Sequence, residues 1–171
     1  MRLPLRRSQR LPPAVRTALG RGPGERVLAW SREGASGTVV VATNHRLYAV
    51  GADGSRLLAR PWHEVDAGTW SSELGQLTVT WVDGGRPGQW VLGPASLLPE
   101  TVRERVQASV VLLQRVDLGP RRSARAVIRQ DLGTGELVEQ VVLGRGVRRD
   151  DPEVVMRSEE ALAYLREQVG L

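Results

Sequence analysis

His45 and His63 are the only imidazoles in the chain, so any histidine-based acid–base step, triad or metal site has to use one of them. Neither has a His or Cys neighbour at ligand spacing, and His45 falls in a turn, which gives a zinc site no foundation. Ser36 lies in Gly34-Ala35-Ser36-Gly37, which is not the Gly-x-Ser-x-Gly elbow and belongs to a hairpin rather than a strand-to-helix turn. Asp150, Asp151 and Glu153 group three carboxylates, but acids at a helix start accept from free N–H groups and oppose the macrodipole. A calcium loop would need more oxygen ligands and a sharp-turn glycine. Gly144-Arg145-Gly146 lacks the third glycine and the following helix of a dinucleotide loop. The chain contains no cysteine and no lysine. That removes thiolate nucleophiles, disulfides, Schiff bases, a Walker-A lysine and a Ser–Lys dyad. The expectation is therefore no catalytic residue, no metal, no cofactor and no enzyme activity.

The arginines are the remaining chemical signal. All 24 basic residues are arginine, and they are unevenly placed. Residues 1–25 hold six against Glu25, residues 26–120 balance at nine against nine, and residues 121–149 hold seven against three acids. Residues 150–171 reverse the sign, with six acids against two arginines. Arg121, Arg122 and Arg125 precede a candidate hairpin, and Arg145, Arg148 and Arg149 follow it. A hairpin returns its ends to one place, so these six are the candidate binding residues, suited to phosphate or carboxylate. Asp150, Asp151 and Glu153 are close enough in sequence to pair with them instead.

Positioning these groups falls to short elements. Arg26–Trp30, Thr38–Thr43, Arg46–Gly51, Leu57–Arg60, Glu64–Trp70, Leu77–Val82 and Gln89–Leu92 read as seven strands bounded by turn residues. All five tryptophans, at 30, 62, 70, 81 and 90, fall in this stretch and read mainly as core. A helix is expected after Ser96, with Pro99 in its first turn and a stripe of Val102, Val106, Val110, Leu113 and Val116. Arg125–Asp131 and Glu136–Leu143 follow as a hairpin around Leu132-Gly133-Thr134-Gly135. Asp151 and Pro152 open a last helix ending near Gly170, with Val155, Leu162, Leu165 and Val169 as its buried stripe. Residues 1–24 read as a basic flexible arm, 25–118 as the strand-rich domain with its capping helix, and 119–171 as a docked ββα appendage.

Gly24-Glu25-Arg26-Val27-Leu28, then Thr43-Asn44-His45-Arg46-Leu47, then Pro61 through Val65, resemble the strand and hairpin pattern of bacterial pleckstrin-homology-like domains over roughly residues 22–116. The full chain also resembles an actinobacterial family of similar length with the same arginine bias and a terminal Asp-Asp-Pro-Glu-Val helix. The resemblance implies an α+β fold: a seven-stranded antiparallel barrel capped by a helix, followed by the β-hairpin and C-terminal helix. Relatives that bind phosphoinositides use several basic residues in the first strand–strand loop. Ser31 through Gly37 here offers one arginine beside one glutamate.

The resulting expectation is a cytoplasmic, non-enzymatic adaptor or scaffold that binds a protein partner on a barrel platform. No run approaches the roughly 20 apolar residues that span a bilayer, and Met1–Arg10 leads into Leu-Pro-Pro rather than an apolar signal region. The alternative is binding of a polyanion, nucleic acid or an anionic membrane surface, through the arm and the arginine clusters.

Overall fold

The computed structural model describes residues 10–171. Where valine and leucine alternate with polar residues between turns, strands form: β1 Val27–Arg32, β2 Val39–Thr43, β3 Arg46–Val50, β4 Arg56–Pro61, β5 Val65–Ser71, β6 Gln76–Trp81 and β7 Gly88–Val91. They build two separate antiparallel sheets, β1-β2-β3-β4 and β5-β6-β7. The closed seven-stranded barrel is therefore corrected, and with it the pleckstrin-homology-like barrel as a description of the fold. The reason is visible at both junctions. Pro61, which has no N–H to donate, ends β4, and a single 3-10 turn at Trp62–Glu64 carries the chain to the second sheet. At the other end β7 is only four residues long, and no ladder joins it to β1. A side chain bridges that end instead: Glu33 Oε1 accepts from the Val91 N–H at 3.0 Å.

The space between the sheets is filled by Val40, Leu47, Trp62, Leu77, Val79 and Trp81. Helix α2, Leu98–Ser109, closes it with Leu98, Val102 and Val106. Close packing of α2 on β5 depends on Gly68, where an added Cβ would lie 2.6 Å from Val102 Cγ1. Trp62 is fully buried, and its indole N–H donates to the Thr43 carbonyl at 2.9 Å. Strand β2 is buried on both faces. Its second face, with Tyr48 and Val50, is covered by Val15 and Leu19 of a short helix, α1, Pro13–Leu19. Residues 1–9 of the expected arm lie outside the described residues.

The stripe expected to carry one helix to Val116 is cut at Ser109. Val110 begins β8, Val110–Asp117, with no intervening loop. The Val110–Leu113 run of branched residues pairs with β9, Ser123–Gln130, rather than continuing the helix. Strand β10, Leu137–Leu143, completes a third sheet in the order β10-β9-β8. Helix α3, Pro152–Val169, covers one face of it. The opposite face lies against β5 through polar groups. Arg129, 1% exposed, donates from Nη1 to the Val65 carbonyl at 2.7 Å and to Ser109 Oγ at 3.1 Å. Arg125 pairs with Asp66 at 2.8 Å, and Gln140 Nε2 donates to the His63 carbonyl at 2.7 Å. Among the described residues, no helix is long and apolar enough to cross a membrane.

Candidate functional site

Helix α3 is terminated at both ends as its sequence dictates. The Asp151 carboxylate accepts from the Glu153 N–H at 3.0 Å, Pro152 needs no donor partner, and Gly170 adopts φ 74° after the last turn. Its buried face is Val154, Ser158, Ala161, Leu162 and Leu165. Leu162 and Leu165 of the expected stripe are buried, while Val155 is 55% exposed and Val154 takes its place. Ser158 is the anomaly in that face. A serine where an apolar side chain would pack leaves space, and a cavity of about 180 Å³ opens between α3 and β10.

Val141, Leu143, Val154 and Leu162 wall this cavity, with Val155 and Glu159 among its lining. Ser158 is 4% exposed and its Oγ has no hydrogen-bond partner. An enclosed hydroxyl without a partner costs about 1–3 kcal/mol, so the site is poised to accept a polar atom.

Arg149 lines the cavity and hydrogen-bonds no described residue. Glu159 lines the same cavity but hydrogen-bonds Arg166 rather than Arg149. Arg166 holds Glu139 through both carboxylate oxygens, at 2.8 and 2.7 Å, and Glu159 at 2.8 Å. The Arg166 hydrogen bonds hold the Glu139 carboxyl below the usual range, and both partners push Arg166 up. Apolar walls, one hydroxyl and one free guanidinium make a seat for an amphipathic anion.

The six arginines expected to form one basic patch divide. The hairpin does bring its ends together, with the Gly144 N–H donating to the Ser123 carbonyl at 2.8 Å. However, Arg122 pairs with Asp151 at 2.7 Å and Glu153 at 3.0 Å, Arg148 pairs with Asp150 at 2.7 Å, and Arg125 turns to the other face to meet Asp66. Arg121, at φ 61° in the β8–β9 turn, and Arg145 are exposed. Only Arg149 joins a cavity that also holds an unsatisfied polar group. The adaptor reading, as stated, goes with the barrel platform it required.

Two groupings escaped the sequence. His63 Nδ1 lies 3.7 Å from Asp131 Oδ2, and the Gly133 backbone backs onto His45, because the β9–β10 turn folds over the first sheet. Asp131 Oδ1 is occupied in the turn, accepting from the Gly133 N–H at 2.7 Å. Among the described residues no three His, Cys, Asp or Glu side chains gather as a metal site requires. Ser158 is the second omission. Its signal was present, as a polar residue four positions after Val154 on the helix face. A comparison with protein-family models finds no match for this chain, and a search of curated proteins finds none either.

Proposed function

We propose that the chain is a binding protein for a small amphipathic anion, seated between β10 and α3. The observation that carries this reading is the Ser158 hydroxyl, enclosed and without a partner, beside a cavity walled by Val141, Leu143, Val154 and Leu162 with Arg149 and Glu159 in its lining. The ligand has an apolar body for Val141, Leu143 and Leu162, a polar atom for Ser158 and a carboxylate or similar anion for Arg149. Capture is driven by burial of the apolar part, and the guanidinium selects the charge.

Titration of the isotopically labelled full chain with hexanoate, hexanol and hexylamine tests this. Hexanoate is expected to produce saturable NMR shifts confined to β10 and the first half of α3. Hexanol should bind about tenfold more weakly, and hexylamine should not saturate. Arg149→Gln should lower hexanoate affinity by about tenfold, the scale of one charge-assisted hydrogen bond. Ser158→Val, which removes the hydroxyl and narrows the cavity, should weaken the response at least tenfold while leaving the fold intact by circular dichroism. A hexanoate response that is absent, or spread over the whole molecule, refutes the proposal.

A further inference from the structure

A second hollow, of about 360 Å³, meets the first along β10. It is lined by Glu139, Gln140 and Val141 in succession. Side chains alternate across a strand, so a hollow touching three consecutive residues lies along the strand's edge and not over one face. β10 is the outer strand of its sheet, with β9 on one side only. Its other edge therefore presents backbone groups to this hollow. The two hollows share Val141 and Arg149, so the open edge leads directly to the Ser158 cavity.

From these observations we infer that the anion recognised at Arg149 is the C-terminal carboxylate of an extended polypeptide. The inference rests on the anion-binding reading above and names its ligand class. The chain end runs parallel to β10 along Glu139–Val141, places a short apolar last side chain in the Ser158 cavity, and sets its carboxylate against Arg149. At about 3.3 Å per residue, Glu139 to Leu143 accommodates roughly four residues of such a segment. Backbone pairing at the edge supplies affinity, and the cavity and the arginine supply selectivity.

Charge completes the ligand's description. The far wall of the hollow holds Glu64 and Asp83, both paired to the single Arg60. Two carboxylates against one guanidinium leave an excess negative charge on that wall. A basic residue three positions before the C-terminus therefore fits there.

The test uses the full chain and four probes: the acetylated peptide Arg-Ser-Gly-Val as free acid, the same peptide as C-terminal amide, the peptide with glutamate replacing arginine, and hexanoate. The free acid is expected to bind at least tenfold more tightly than hexanoate and to slow amide exchange at Glu139–Val141, which hexanoate leaves unchanged. The amide should lose about tenfold, and the glutamate peptide about threefold. Arg149→Gln should remove the difference between acid and amide. If hexanoate saturates while the peptide binds no more tightly and protects no β10 amide, the polypeptide inference falls and the small-anion reading stands. If neither saturates, both fall together.

Discussion

The packing of α2 between the first two sheets and the junction of the third sheet with β5 bury side chains by opposite means. The first is dry: Val40, Leu47, Leu77 and Val102 are fully enclosed, and Trp62 has its one polar atom satisfied. The second is polar, built on Arg129, Arg125, Asp66 and Gln140. Dry packing is non-directional and tolerates a family of arrangements. Hydrogen bonds from a buried guanidinium to one carbonyl and one hydroxyl accept a single arrangement. The first region thus carries stability, and the second fixes how the β8–β10 sheet sits on β5. Burial pushes the Arg129 guanidinium down and Arg125 adds to this, while Asp66 opposes both.

The comparison breaks most severely at Trp62. Trp62→Ala is expected to cost about 3–5 kcal/mol, read as a lower urea midpoint with loss of fluorescence and circular dichroism together. Arg129→Ala should cost about 3 kcal/mol, because the Val65 carbonyl and Ser109 hydroxyl lose their donor. Its signature differs. All five tryptophans lie at positions 30–90, so their fluorescence reports the first two sheets and not the third. In Arg129→Ala the helical signal should fall before the fluorescence does, and coincident curves would show that the two regions are one cooperative unit. Arg129→Met, which refills the volume without the charge, should recover most of the stability.

The smallest effect sharpens the comparison inside the first region. Tyr48 is buried on the α1 side of β2 and β3, and its hydroxyl donates to Glu25 Oε1 at 2.8 Å. Burial and that hydrogen bond raise its pKa to about 12. The folded value lies above the ordinary 10.0, so this stabilisation is complete below pH 10 and is lost as pH rises through 12. The loss should be about 2 kcal/mol, and Tyr48→Phe should flatten the alkaline limb of the urea-midpoint profile. At Glu25, burial raises the pKa, but hydrogen bonds from Thr43, Tyr48 and Gly22 outweigh it and the net shift is downward. Its contribution is therefore present above the ordinary carboxyl value and lost as pH falls through the depressed one.

Most elements were legible in the residues, because alternation and turn chemistry are local. The seven strands, the hairpin and the last helix stand close to where runs such as Thr38–Thr43 and Leu77–Val82 and the Asp151-Pro152 start place them. Barrel closure was not legible, since it depends on whether β7 finds β1 across the molecule. The end of α2 was hidden because Val110, Leu113 and Val116 keep a helical spacing while sitting in a strand. The arginine pairing was hidden in part by distance: Asp66 lies 59 residues from Arg125. Of the candidate site, the charge of Arg149 is legible in the sequence, while the β10 and α3 residues that share its cavity are not. Ser158 carries no such signal in its type, because serine on a helix is usually at the surface.

Ser109 and Val110 are consecutive, so helix α2 passes into β8 without a single residue of slack. A helix seated against Gly68 through Val102 and continuous with a sheet at its C-terminal end acts as a lever. Rotation of the third sheet would have to shift Val102 from its close seat on Gly68. Peptide seated on β10 would therefore strain the distant helix rather than swing a hinge, and a two-residue glycine insertion after Ser109 would disconnect that lever.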